Sequence, residues 1–365
     1  MELIVSRVQT LLEYKDLSIT EFPVGLDSHV EKVIGCIENH SSKVCMIGIW
    51  GMGGSGKTTL AKAIYNRIYR AFTGKSFIQN IREVCDQTGQ VHLQENLLRD
   101  VLKSEVKVEG VGMGRNMIEI GLSRKKLLIV LDDVNEFFQL QNLCGHREWF
   151  SQGTVIIVTT RDIRLLNQLK VNYVYKMDGM NESDSLELLS WHAFLNGKPR
   201  KEMNELARNI VAYCGGLPLA LRVLGSFLCG GTTKGWTSVL SKLEFFPNDE
   251  VQENLKISFD GLSDMEKDIF LDVCCFFIGK DRGYVTEILN GCGLNADIGI
   301  TVLIERGLIK VERKNKLEMH PLLRDMGREI IRERWPMELE KRSRLWFHDD
   351  VKNVLTNNTV RTFFI

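Results

Sequence analysis

No sign of charge dominates this sequence. Lysine plus arginine number 47, as do aspartate plus glutamate, so no global field draws the chain towards nucleic acid or an anionic membrane. No stretch reaches the ~18 apolar residues of a membrane span, and the opening Met1-Glu2-Leu3-Ile4-Val5-Ser6-Arg7 is too short and too charged for a signal peptide. The nine cysteines include no Cys-x-x-Cys pair and adjoin only at Cys274-Cys275, inside an apolar segment expected to be helical. Metal clusters and disulfides are therefore set aside in favour of reduced core thiols. These absences point to a soluble intracellular protein, cytoplasmic or nucleo-cytoplasmic. With 365 residues and 44% hydrophobic content, the chain can bury a full core and should divide into two or three domains.

What the sequence does contain is a phosphate-binding loop. The apolar run Val44-Cys45-Met46-Ile47-Gly48-Ile49-Trp50 leads into Gly51-Met52-Gly53-Gly54-Ser55-Gly56-Lys57-Thr58, a complete Walker A pattern between an expected strand and an expected helix. Gly51, Gly53, Gly54 and Gly56 let successive backbone N–H groups of the loop, with Ser55, turn inward around phosphates. The helix starting near Lys57 directs the positive end of its dipole at the same anions. Lys57 would reach the β- and γ-phosphates, the Thr58 hydroxyl would ligate Mg²⁺, and Thr59 completes the nucleotide-binding set.

A second motif lies downstream. Leu127-Leu128-Ile129-Val130-Leu131 runs without interruption into Asp132-Asp133, as a strand buried on both faces does, with its acids at the carboxyl end where α/β folds bind ligands. Asp132 suits the role of holding Mg²⁺, and Asp133 could orient or deprotonate an attacking water. The plainer reading is an acid pair capping a helix. Another strand, Thr154 to Thr160, ends at Arg161-Asp162. An arginine there can sense the γ-phosphate charge, although alone it reads equally as a surface ion-pair residue.

With these motifs in place, the chain resembles the central nucleotide-binding module (NB-ARC) of plant intracellular immune receptors of the nucleotide-binding, leucine-rich-repeat kind. The matching segments, in family order from about residue 24 to 347, are Val24-Gly25-Leu26-Asp27, the Walker A loop, Phe77-Ile78-Gln79-Asn80-Ile81-Arg82-Glu83, Leu131 to Val134 and Thr159-Thr160-Arg161-Asp162. They continue with Gly216-Leu217-Pro218-Leu219-Ala220-Leu221, Phe270 to Phe277, and Met319-His320-Pro321 through Gly327. Asn135 stands where coiled-coil-type members usually carry Trp, and Arg324 to Ile330 is similar to the Toll/interleukin-receptor (TIR) type. The resemblance implies the TIR-linked branch, although the sequence holds neither a TIR domain nor leucine-rich repeats, which a full-length relative would carry as partners.

The implied fold is an α/β P-loop NTPase with a parallel sheet, followed by a helical bundle and a winged-helix domain. Helical periodicity over 1–15, capping signals at Asn181 and Ser263-Asp264-Met265-Glu266, and a hairpin pattern over Leu308 to Met319 are compatible with that order. Expected boundaries are a linker helix over 1–22, the nucleotide domain over 23–176, the bundle over 177–250, the winged helix over 251–340 and a linker or tail over 341–365. Winged helices often bind DNA. Here Arg306, Lys310, Arg313, Lys314 and Lys316 interleave with Glu305, Glu312 and Glu318, which repel phosphates, so nucleic acid is not the expected partner.

The resemblance also implies residue roles that the residues alone do not. His320 would reach the β-phosphate of ADP and latch a closed state, Pro218 would pack near the adenine, and Val24 with Gly25 would contact the base from the other side. Unaided, His320 reads as a buried hydrogen-bonded histidine, and Gly216 with Pro218 as a turn and helix start. The implied function is an ADP/ATP switch with weak ATPase activity in defence signalling, ADP holding the module closed and ATP favouring an open form that can oligomerise. A dedicated P-loop ATPase or small-substrate kinase, and an ATP-regulated winged-helix transcription regulator, are the alternatives. One departure stands out: the family's Met-His-Asp here reads Met319-His320-Pro321. Proline is tolerated at a helix's first position, and what is lost is the carboxylate at a helix start.

Overall fold

A computed structural model describes residues 16–40, 43–243, 249–334, 339 and 342–356. The chain divides into two compact units, one comprising Met1–Gly51 and Gly56–Asp178, the other Met52–Ser55 and Gly179–Ile365. Of the expected linker helix, residues 1–15 lie outside the described residues. Residues 16–22 form no helix; Leu17 is instead held on both its backbone groups by the Asn66 amide at 2.8 Å, a local alternative to helical hydrogen bonding. Val360 to Ile365 also lie outside the described residues.

The first unit is built on five parallel strands, β1 (Cys45–Trp50), β2 (Gly74–Ile78), β3 (Leu127–Val134), β4 (Val155–Thr160) and β5 (Tyr173–Lys176), in the order β2-β3-β4-β1-β5. The uninterrupted apolar runs expected of strands covered on both faces are β1, β3 and β4, almost every residue of which is buried. On one face Ile129, Leu131, Ile156 and Val158 pack with Leu93, Leu97, Ile118 and Leu140. On the other, Ile47, Ile49, Leu128, Val130 and Ile157 pack with Val33, Leu60 and Ile64. The helices that carry the site adjoin the strands: α1 (Leu26–Glu38) precedes β1, α2 (Lys57–Ile68) follows it, α3 (Ile81–Thr88) follows β2, and Asp162 opens the helix after β4 by accepting from Arg164 N at 2.9 Å.

Among its described residues from Gly179 onward, the second unit is built of helices and one antiparallel hairpin. Asn181 caps α4 (Glu182–Phe194) by accepting from Asp184 N at 2.9 Å, and α5 (Asn204–Cys214) and α6 (Pro218–Phe227) follow. Trp236 is fully buried, stacks on Phe194 at 5.3 Å and donates Nε1–H to Leu228 O at 3.2 Å, which satisfies the one polar group of a large apolar ring. The reciprocal capping box of Ser263 and Glu266 opens α7 (Asp264–Asp272).

The apolar segment around Cys274-Cys275, expected to be helical, does not stay α-helical: Val273–Phe277 is a π-helical turn, the widened form that occurs as single turns within helices. It packs on α8 (Pro321–Arg334), where a Cβ on Gly327 would stand 2.4 Å from Cys274 Sγ. The wing is the antiparallel pair β6 (Lys310–Glu312) and β7 (Lys316–Glu318), closed by Lys314 and Asn315 in the left-handed region. All nine cysteines are free; Cys45, Cys144, Cys214 and Cys274 are core thiols as expected, whereas Cys229 and Cys292 are exposed, each in a turn that follows a helix.

Candidate functional site: a phosphate-binding loop and its charged cluster

The loop between β1 and α2 has the backbone that its glycines predict. Gly54 (φ 77°) and Gly56 (φ 92°) adopt the left-handed region open at little cost only to glycine. At Gly54 the demand is double, because a Cβ would also stand 2.8 Å from that of Leu219. Gly51 N donates to Thr160 O and Ser55 N to Met52 O, and the helix begins at Lys57. Lys57 is buried, and that burial, reinforced by the nearby Arg161 and Arg82 and opposed by Asp133 and Asp132, lowers its ammonium to about 7. A buried cation held below its ordinary range is one that a polyanion would recharge.

The second motif bends where its acids begin. The pairing of β3 with β4 shifts register between Leu131 and Val134, a bulge of the kind that re-aims side chains next to sites, and Asp133 takes φ 57°. Consecutive strand residues ordinarily face opposite sides of a sheet. Here both carboxylates act on Lys57. Asp132 is fully buried and accepts from Thr58 Oγ1 at 2.9 Å and Thr159 Oγ1 at 2.7 Å. Burial raises its carboxyl above the usual range against the pull of these two bonds. The Thr58–Asp132 bond joins the two nucleotide motifs directly.

Asp133 is ion-paired twice. Its Oδ2 lies 2.8 Å from an Arg82 terminal nitrogen and its Oδ1 3.6 Å from Arg161 Nε, all three side chains being about one-fifth exposed. Its backbone N–H donates to Thr159 Oγ1 at 2.9 Å. Arg161 follows β4 directly, and its carbonyl accepts from Trp50 Nε1 at 3.2 Å. Burial lowers the Arg161 guanidinium, with Asp133 opposing. The first unit thus gathers Lys57, Thr58, Asp132, Asp133 and Arg161, and adds Arg82.

The donor set suits magnesium. Among the described residues no group of three or more His, Cys, Asp or Glu could cage a metal. Mg²⁺ characteristically needs no such cage, binding through one or two carboxylates, water and substrate phosphates. Asp132 and the Thr58 hydroxyl are hard oxygen donors of that kind. In the loop itself, Ser55 Oγ is buried without a hydrogen-bond partner, an acceptor or donor left for a ligand.

Other predicted residues sit on tight turns. Val24 N donates to Phe22 O, and Gly25 (φ 70°) is the residue before α1. Thr59 is half-buried in the first turn of α2. In the second unit, Gly215 and Gly216 both take positive φ and end α5, and Pro218 opens α6 at its first position.

His320 lies half-buried before α8. Its Nδ1 accepts from Leu322 N at 3.2 Å, and its Nε2 is 3.1 Å from Gly215 O. An acceptor at Nδ1 requires the proton at Nε2, so Nε2–H donates to the Gly215 carbonyl. Burial, against that hydrogen bond, lowers this imidazole to about 4 and keeps it neutral. A Cβ on Gly215 would stand 2.5 Å from Nε2, so the glycine makes room for the ring.

Sequence reasoning gave no role to Arg82, Thr159 or Gly215. The signal for Arg82 was present, a lone cation in Phe77 to Glu83, but nothing local said that this segment ends a strand beside the one bearing Asp133.

Comparison with known proteins agrees with this geometry. An NB-ARC domain model matches residues 26–198, and the winged-helix domain model of Roq1-like disease resistance proteins matches 263–335. The chain is 45% identical over 335 residues to disease resistance protein RUN1 of Vitis rotundifolia, covering 91% of this chain and 25% of that protein. It is 34% identical over 363 residues to TMV resistance protein N of Nicotiana glutinosa, covering 98% and 31%. The chain thus spans between a quarter and a third of these relatives. Among solved structures, a Walker-type ATPase of Pyrococcus abyssi superposes with a TM-score of 0.59 at 14% identity, over 87% of this chain and 99% of that one. The ORC2 protein of Aeropyrum pernix, solved in ADPNP and ADP complexes, superposes at 0.53 and 13%, over 89% and 98%; both likenesses concern the fold. The chain thus carries an NB-ARC domain over residues 26–198, with a helical region and then, over residues 263–335, a winged-helix domain of the Roq1-like disease-resistance type.

Proposed function

We propose that this module is a regulatory ADP/ATP switch of an intracellular plant immune receptor of the TIR-linked branch, with slow ATP hydrolysis. The observation that carries the reading is the hydrogen bond from Thr58 to Asp132 at 2.9 Å, which sets the hydroxyl of one nucleotide motif on the carboxylate of the other. Lys57 would hold the β- and γ-phosphates, regaining its full charge against them, and Arg161 would meet the γ-phosphate. Mg²⁺, held by Thr58 and Asp132, would offset phosphate charge.

Slow turnover would follow from how Asp133 is held. Both of its oxygens already face guanidiniums, so it would orient an attacking water only in competition with Arg82 and Arg161. Switching requires a ligand that binds two states with different affinity, and the γ-phosphate is the group by which the two nucleotides differ. His320 would serve the diphosphate state: the Nε2–H that donates to Gly215 O is the donor it would offer a β-phosphate. Val24, Gly25 and Pro218 would take the base. Opening with ATP would favour self-association. The test is to denature the purified chain and identify the nucleotide it releases, then to follow exchange with a fluorescent analogue. Stoichiometric ADP that exchanges for ATP supports the switch; a chain that copurifies empty and hydrolyses ATP at many turnovers per second refutes it.

A further inference from the structure

The tightest ion pair of the phosphate cluster involves a residue to which no step above is assigned. Arg82 stands in the first turn of α3, just past the end of β2, whose last residue Ile78 registers with Leu131 of β3. Two backbone features hold it there. Asn80 turns the chain in the left-handed region (φ 54°) and the fully buried Ile81 anchors the helix start. Asp133, itself left-handed and tied through its N–H to Thr159 Oγ1, presents one oxygen to each arginine, 2.8 Å to Arg82 and 3.6 Å to Arg161. Non-glycine residues in this region persist only where their surroundings enforce them. Two of them frame this one pair.

Within the cluster one carboxylate, Asp133, is divided between two guanidiniums. An arginine that must meet a γ-phosphate is released from a carboxylate most readily when that carboxylate keeps another cation. We infer that Arg82 is a positioning residue for nucleotide selection: by holding Asp133, it leaves Arg161 able to turn to the third phosphate. This rests on the reading of Arg161 as the γ-phosphate cation. Without Arg82, Asp133 would draw Arg161 into a closer pair, and the chain would lose affinity for a triphosphate while keeping that for a diphosphate.

The experiment measures affinities of the full chain for ADP and for a non-hydrolysable β,γ-imido triphosphate, both with Mg²⁺. Arg82→Ala should lower the triphosphate-to-diphosphate preference about tenfold, the scale of one charge-assisted contact. Arg82→Lys, which leaves a cation for Asp133, should stay within about threefold of wild type. The discriminating variant is Arg82→Ala with Asp133→Ala, in which Asp133 no longer competes for Arg161; its preference should return to that of Asp133→Ala alone. Equal losses for both nucleotides would mean a structural role, and a loss that persists in the double variant would mean that Arg82 touches the ligand; either overturns the inference. Arg161→Ala is the separate check on the underlying reading. If it lowers the preference while Arg82→Ala does not, the inference alone fails; if it leaves the preference unchanged, both fail.

Discussion

The two regions that the motifs single out are built on opposite electrostatic plans. In the first unit the chain concentrates charge: a buried lysine, two arginines and two carboxylates, one of them on a strained backbone. In the second, the surroundings of His320 are neutral hydrogen bonds, an imidazole between a helix amide and a glycine carbonyl. Charge gathered in a low-dielectric setting is expensive unless something uses it, so the first arrangement implies a polyanionic ligand. The second is complete as it stands and would lose nothing without one. A ligand that joins the cluster adds negative charge to a group of cations gathered around two carboxylates, whereas a ligand that engages His320 must compete with its existing hydrogen bonds.

The comparison is broken most severely at Lys57. Lys57→Ala removes the buried cation of the loop, where a charge-assisted contact contributes roughly 1.5–3 kcal/mol, about ten- to a hundredfold in affinity. Calorimetry with ADP and ATP should show that loss while unfolding of the helical unit is unchanged. Wild-type affinity would mean that the cluster does not hold the phosphates.

A change of similar size, but in stability, is expected at Gly327, because the second unit relies on close packing instead. A Cβ there would stand 2.4 Å from Cys274 Sγ and 3.0 Å from the Phe270 ring. Gly327→Ala should therefore destabilise by about 1–3 kcal/mol, the usual range for overpacking. Chemical denaturation would measure it, with nucleotide affinity serving as the control that the loop is untouched. An unchanged midpoint would show that the π-helical turn yields.

These contrasts explain what could be read before the structure. Walker A was legible because phosphate chemistry demands glycine, lysine and hydroxyl at fixed spacing, and the buried strands because sheets covered on both faces tolerate only apolar runs. The bulge at Asp132-Asp133 was not legible, since nothing in Leu-Asp-Asp-Val marks the residue that will take positive φ. Arg82 was hidden for a topological reason: strands β2 and β3 are neighbours in the sheet but about fifty positions apart in sequence. The π-helical turn was not legible because nothing in Val273 to Phe277 distinguishes it from an apolar α-helix, and the glycine it packs against, Gly327, lies on another helix. His320 drew its role from family resemblance alone, and its dual hydrogen bonding depends on the turn made by Gly215.

A smaller effect sharpens the neutral side of the comparison. His320→Ala removes the cap on Leu322 and the donor to Gly215 O, which should cost about 0.5–2 kcal/mol. Its pH dependence has a definite sign. The imidazole titrates near 6.5 when unfolded and at about 4 when folded, so between those values the unfolded state carries the extra proton. The histidine's contribution is full above pH 6.5 and is lost as pH falls towards 4, at up to tenfold in the folding equilibrium per pH unit. His320→Asn, which keeps a capping oxygen without a titrating ring, should be less sensitive over that window in denaturation curves. Parallel curves for the two proteins would mean that the ring is solvated.

The smallest effect concerns the proline that replaces the family's aspartate. A carboxylate at a helix start helps in two ways, by accepting from unpaired amides and by opposing the dipole. The amides here are already served by His320: Leu322 N donates to its Nδ1 at 3.2 Å, Leu323 N and Arg324 N to its carbonyl at 3.0 and 3.1 Å, and Pro321 has no N–H to satisfy. An aspartate at position 321 would therefore find no open donor in the first turn and would retain only the dipole term, about 0.3–1 kcal/mol at low salt. Against it stands the loss of proline's restriction of the unfolded chain, which is of similar size and opposite sign. Pro321→Asp should thus shift the thermal midpoint by no more than a degree or two, on the scale of a few tenths of a kcal/mol. Any effect it has should appear in the off-rate of fluorescent ADP, with slower release than in the wild type if the added carboxylate steadies His320. A large change in stability would show that the amides of this turn are not served by His320, and would remove the reason for regarding the proline as a tolerated neighbour of the latch.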